Sequence, residues 1–323
     1  MKTLTIFIGI CVCLALGAGA APVAAGKVLW RDPGPIASRD LYWGSGSDLR
    51  APKPPFTFVS EDTSGTKPKL DVTDATGVAW SVKLQTGNPA ENEVHAEIAA
   101  SRILWSMGYF ADENYYVAEG RMDNVGGLKR AAPFVGADGS FGGARFERRG
   151  KELVWRGEWD LEKNNPFIGT RELSGLQMLT LIIGNWDVNP HNDAIVRVRL
   201  DDNTTEDRYL IADLGSSFGQ VKGGVNEKPT RWNLTDYTSS KLLSGVVQGK
   251  LTFRGPIQGN QPLQIPLDHA RWFVGMSSQL TGDQMRRAFE ASGASPAEVE
   301  GFSAQVMKRL QELADTVKVN SAK

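Results

Sequence analysis

Apolar residues recur along this chain with two different periods. Between Phe56 and Leu84 they alternate with polar ones, and the pattern predicts three short strands: Phe56-Thr57-Phe58-Val59, Leu70 to Thr73, and Val78 to Leu84. Turns at Ser64-Gly65 and at Asp74 to Gly77 separate them. In the last strand Val78, Trp80, Val82 and Leu84 share one face, and Ala79, Ser81 and Lys83 share the other. A lone lysine among apolar neighbours is either solvent-facing or functional. The period then lengthens to that of a helix. Asn88 suits the N-cap, Pro89 the first helical position and Glu91 the third, and the helix runs to about Met107 before Gly108 stops it. Glu93 and Glu97, four residues apart, fall on one face of it.

Tyr115 to Val117 predict another strand. Residues 120–165 are rich in Gly, Arg and aromatics and read as loops, with a hairpin around Glu152 to Trp159. Thr170 then caps a helix whose Leu173, Leu176, Leu179, Ile182 and Ile183 recur at helical spacing, and Gly184 ends it. A polar loop, Asn185 to Asp193, leads into strands at Ala194 to Leu200 and Arg208 to Ala212, joined by the polar turn Asp201 to Asp207. The second strand ends in Asp213-Leu214-Gly215. Nearer the C-terminus, Thr281 with Gln284 and Ser295 with Glu298 form capping boxes, and Val299, Phe302, Val306, Leu310 and Leu313 stripe the last helix.

The first residues carry a pattern of their own. Lys2 precedes an apolar run, Leu4 to Leu16, and small residues follow from Gly17 to Ala25. That is the layout of a cleaved secretory leader, too short for a membrane span of about 20 residues. The expectation is a secreted or periplasmic protein without a stable membrane anchor after cleavage. Both cysteines, Cys11 and Cys13, lie inside the run, so the mature chain would hold no disulfide and no thiolate metal site. With a formal net charge of −1, there is no basic excess to attract nucleic acid or an anionic membrane.

Chemistry concentrates in one ordered set. Asp187 and Asn192 sit five residues apart in the loop after the buried helix, and Asp213 ends the ribbon beyond it. Phosphoryl transfer from ATP needs one carboxylate to orient an acceptor hydroxyl, an amide oxygen and a second carboxylate for Mg²⁺, and a strand lysine held by a helix glutamate. Asp187-x-x-x-x-Asn192 followed by Asp213-Leu214-Gly215 resembles the catalytic and metal loops of the protein-kinase-like superfamily. The likeness is closer to its atypical branches: phosphatidylinositol kinases, HipA-type bacterial kinases and secretory-pathway kinases. Trp80-Ser81-Val82-Lys83, Glu97 to Arg102 and Asn165 to Leu173 also resemble an uncharacterised group of exported bacterial proteins, over residues 56–318.

The resemblance implies an α+β, two-lobed fold. It would comprise a leader over 1–25, an extended segment over 26–55, a β-rich N-lobe with one helix over 56–125, and a mainly helical C-lobe with inserted loops over 126–323. It implies Asp187 as the catalytic carboxylate, Asn192 and Asp213 as Mg²⁺ ligands, Lys83 as the phosphate-binding lysine, and Glu97 as its partner, with Glu93 the fallback. ATP and Mg²⁺ would be the cofactors, and a protein, lipid or small-molecule hydroxyl the acceptor. The chain departs from the pattern in three ways: Asn185-Trp186 replaces His-Arg before the aspartate, no Gly-x-Gly-x-x-Gly is present, only Ser64-Gly65-Thr66, and the gap from Asn192 to Asp213 is long, with the polar turn Asp201 to Asp207 to absorb it as an extended hairpin. Two other readings stand beside this one: a non-catalytic kinase-like binding module, and a metal-dependent hydrolase built on Asp187, His191 and Asp213.

Overall fold

The computed structural model describes residues 26–321, apart from 65–66, 88–92, 151–152, 201–203, 221–228, 256 and 258–260. The predicted leader, the Asn88 cap and Gly65-Thr66 lie outside the described residues.

Five strands close a small barrel in the order β2 (Phe56–Asp62), β3 (Lys69–Thr73), β4 (Ala79–Leu84), β6 (Ser140–Arg149) and β5 (Asn114–Asp123). The alternation expected of β4 is realised. Trp80, Val82 and Leu84 point into the barrel, where they pack with Phe56, Leu70, Val72, Tyr115 and Phe146. The opposite face of β4 is not solvated as it would be on a free sheet. Helix α1 (Glu93–Ser106) lies over it, so Ser81 and Lys83 are buried as well. Nearly every side chain of α1 is buried, because it is wedged between the barrel and the larger core behind it.

Two expectations are corrected in this region. Residues 120–165 are not mainly loop: they carry the end of β5 and all of the ten-residue β6, the strand that joins β4 to β5. The Gly-rich, charged composition hid β6 because Arg145 and Glu147, which read as solvent-facing, are both buried. Nor does Glu152 to Trp159 form a local hairpin. Leu153–Glu158 is β7, and it pairs antiparallel with β8 (Asp193–Arg199), some forty residues further on.

The larger lobe is built on α2 (Arg171–Ile183), capped as its sequence predicts. Thr170 Oγ1 accepts from Leu173 N at 3.2 Å, and Gly184 closes the helix in the left-handed conformation at φ 68°. One sheet runs in the order β1 (Gly26–Val28), β9 (Thr205–Ile211), β8, β7, and a second joins β10 (Leu243–Val247), β11 (Lys250–Phe253) and β12 (Gln264–Pro266). Helices α3 (Leu234–Ser239), α4 (Leu267–Ser277), α5 (Gly282–Glu290) and α6 (Pro296–Ser321) pack around α2. Both capping boxes form, at Thr281/Gln284 and Ser295/Glu298, and the predicted stripe of α6 is buried.

The segment before the barrel is a strap. β1 pairs in parallel with β9. Trp30 Nε1 then donates to Met107 O (2.8 Å) and Arg31 N to Gly108 O (3.0 Å), fixing the strap to the end of α1. Gln284 on α5 donates to Ile36 O and Arg39 O, Arg102 on α1 donates to Tyr42 O, and Leu29, Ile36 and Leu41 enter the main core.

Candidate active site

Between barrel and large lobe lies a cleft of about 570 Å³ whose walls include Lys69, Lys83, Glu97, Arg145, Asn192 and Asp213. Five of the residues singled out in the sequence, Lys83, Glu97, His191, Asn192 and Asp213, therefore meet on one cavity, while Asp187 stands beside it, tied to Asn192 rather than in the lining.

Strand register sets the barrel wall. Lys83 lies directly opposite Lys69 on β3 and opposite Arg145 on β6, so three cations stand in a row across one face. Like charges in register destabilise a sheet unless neutralised. Helix α1 supplies the neutralising groups. Lys83 Nζ is ion-paired with Glu97 and lies 3.2 Å from Glu93 Oε2, while Glu97 Oε2 lies 2.8 Å from Arg145 Nη1. Arg145 also meets Glu147 at 2.8 Å. Both helix glutamates thus hold the lysine, where the sequence reading set Glu93 behind Glu97. Glu93 has a further duty: Arg231, on the segment following Gly215, is ion-paired with it while packing 5.1 Å from the Trp186 ring.

The opposite wall is two loops knitted together. Asn192 Nδ2 donates to Asp187 O (2.6 Å), and Asn192 O accepts from both Ala212 N (2.8 Å) and Asp213 N (3.1 Å). Asn185, fully buried, completes the knot: its Nδ2 donates to Asp213 O at 3.2 Å and its Oδ1 accepts from Asp187 N at 3.3 Å. Gly215 sits where the loop passes beneath α1. A Cβ there would lie 2.9 Å from Glu97 Oε1 and 3.0 Å from Glu93 Cβ, so the close approach itself requires glycine.

The two aspartates are driven in opposite directions. Burial alone would raise the Asp213 carboxyl, but Lys83, the Gly215 N–H and Arg145 outweigh it and hold the group below the usual carboxylate range. Burial and the Asp213 charge raise Asp187 instead, against the hydrogen bonds from Asn192 and Asn189. Two carboxyls separated in this way suit two tasks, one staying ionised and one able to take a proton.

His191 is not drawn into that pair. Its ring is largely exposed and its Nδ1 lies 3.0 Å from Glu158 Oε1. Among the described residues no group of three or more His, Cys, Asp or Glu side chains could hold a metal unaided. Sequence reasoning missed Lys69, Arg145, Glu147, Asn185 and Arg231. For Arg145 a signal did exist: Ala144 and Phe146 on either side of it line the barrel, which leaves Arg145 on the face of β6 that meets α1.

No protein-family model and no curated protein matches the sequence. Among solved structures, the fold is similar to that of a proinflammatory kinase, CtkA, from Helicobacter pylori, with a TM-score of 0.50 and 12% identity over 82% of this chain and 97% of that one. The chain has a kinase-like fold, β-rich towards the N-terminus and helical towards the C-terminus.

Proposed function

We propose that this protein is an ATP- and Mg²⁺-dependent phosphotransferase acting on a hydroxyl acceptor. The observation that carries the reading is the row of Lys69, Lys83 and Arg145 on one wall of the cleft, facing Asn192 and Asp213 on the other. Lys83, fixed between Glu93 and Glu97, and Lys69 beside it offer ammonium donors to a phosphate, and the oxygen donors opposite suit a hard divalent cation.

The donor set fits magnesium. Asn192 spends its amide nitrogen on Asp187 O, which leaves its side-chain oxygen available, and Asp213 accepts only the Gly215 N–H through Oδ1 among the described residues. One carboxylate and one amide oxygen are too few for a protein-only site, but they match a cation that completes its shell with phosphate oxygens and water. Bound there, Mg²⁺ would neutralise charge developing on the phosphates. Lys83, held by two glutamates, would bind the phosphates as a preorganised cation that needs no reorientation. Asp187, with its raised proton affinity, would orient the acceptor O–H and take its proton.

Calorimetry on the purified protein with Mg·ATP tests this. Wild type should bind, Asp213→Ala should abolish metal-dependent binding, and Asp187→Ala should bind normally while γ-phosphate transfer or hydrolysis stops. A folded wild-type protein that binds no Mg·ATP overturns the reading in favour of a non-catalytic module. The predicted leader supports a site of action outside the cytoplasm, which signal-processing assays and fractionation of the full chain would test.

A further inference from the structure

A second cavity, of about 470 Å³, lies behind the cleft between the strap, the end of α1 and the β7–β8–β9 sheet. It shares Asp112, Arg148, Leu153, Val196 and Leu210 with the cleft as a common wall, but Lys83, Asn192 and Asp213 are not part of it. The nucleotide reading gives this space no task.

Its lining is both cationic and aromatic. Arg31, Arg39, Arg50, Arg148 and Arg208 all contribute. Arg31 and Arg208 share Glu206, at 2.7 and 2.6 Å, and Arg50 is paired with Glu113. Arg39 differs. Its guanidinium stacks on the Trp105 ring at 3.6 Å, donates one hydrogen bond to Pro33 O, and meets no carboxylate among the described residues; its Nε is buried without a partner. Arg208 lies similarly over Phe110, at 4.7 Å. Leu153, Val196, Val198 and Leu210 give the remaining wall an apolar surface.

The Arg39 guanidinium is half-buried and stacked, with its Nε buried and unpartnered among the described residues, so it has donors to offer an incoming acceptor. Its planar fork matches a carboxylate edge, and stacking on Trp105 fixes the direction of that fork. With Arg31 and Arg208 on Glu206 and Arg50 on Glu113, Arg39 is the guanidinium offered to a single carboxylate. The apolar wall and the aromatic rims select a flat hydrocarbon body.

We propose that this cavity is a binding site for a small aromatic monocarboxylate, seated with its carboxylate on Arg39 and its ring against the apolar face of the β7–β8–β9 sheet. Arg39, which would hold the carboxylate, is not part of the nucleotide cleft, and the inference does not rest on the phosphotransferase reading.

Isothermal calorimetry with 2-naphthoate tests it, with naphthalene-2-carboxamide as the neutral isostere. Wild type should bind the acid, and the carboxamide should bind at least about tenfold more weakly. Arg39→Gln should weaken the acid by a similar factor, and Arg39→Lys, which keeps the charge but loses the fork, should recover only part of it. Thermal melts establish that both variants are folded. Asp213→Ala should bind the acid like wild type, and saturating Mg·ATP should not displace it. The proposal is overturned if wild type binds no 2-naphthoate at millimolar concentration. Equal affinity for acid and amide, indifference to Arg39→Gln, or displacement by Mg·ATP would overturn it equally.

Discussion

Replacing Gly215 by alanine probes the junction on which the candidate site is built. The added Cβ would meet Glu97 Oε1 at 2.9 Å, Glu93 Cβ at 3.0 Å and Glu93 Cγ at 3.1 Å, all tighter than ordinary contact. Where the obstacle is the tip of a free side chain, it swings away at little cost. Here Glu97 is held by Lys83 and Arg145, and the Glu93 Cβ belongs to the helix itself. The strain must therefore be taken up by moving the Asp213 loop or the first turn of α1. Overpacking of this kind costs roughly 1–3 kcal/mol. A loss of about 2 kcal/mol lowers Tm by roughly 3 °C in a protein of this size. Because Gly215 does not need a left-handed backbone, the whole effect is steric, and Gly215→Ser should be at least as damaging. Urea unfolding gives the stability change, and calorimetry with Mg·ATP gives the accompanying loss of affinity as Lys83 and Asp213 are pushed apart. A Gly215→Ala protein with wild-type stability and wild-type binding would refute the reasoning, since the glutamates would then be free to yield.

Three further outcomes follow from the same geometry. Arg145→Met strips one partner from both Glu97 and Glu147; removing half of a buried pair costs about 3–5 kcal/mol, and the remaining pairs to Lys83 and Arg149 reduce this to roughly 2–3 kcal/mol, measurable by urea unfolding. His95 is buried, with Nδ1 at 2.6 Å from Ser292 O and Nε2 at 3.1 Å from the Gln85 amide, and burial lowers its pKa from 6.5. The unfolded chain then binds the extra proton first, so His95 costs the fold nothing above pH 6.5 and weakens it as the pH falls below that value. Melting curves from pH 7 to 5 should show this loss, and His95→Gln should flatten it. Thr281→Ala removes the N-cap of α5 and half of its capping box, and should cost about 1 kcal/mol in the same unfolding assay.

How far the sequence foretold this site depended on whether each signal was local. The caps at Thr170, Gly184, Thr281 and Ser295 are short-range chemistry, and they form where expected. The faces of β4 were legible for the same reason, since pleating alone separates Lys83 from Trp80, Val82 and Leu84. What remained hidden was set by partners distant in sequence. Ala144 and Phe146 set the face that Arg145 takes, but it is buried only because β6 pairs with β4 and α1 closes over both. The pairing of β7 with β8 spans some forty residues, so no local signal separates it from the hairpin expected around Glu152 to Trp159. Asn185 looked like loop punctuation, and its role is visible only once Asp187 and Asp213 are both within its reach.

The strap has a mechanical consequence. Starting from β9 in the large lobe, it crosses the end of α1, is gripped by α5, and reaches the barrel side at Tyr42. It thereby laces both halves together along the back, so the mouth of the cleft can widen only as far as this seam stretches.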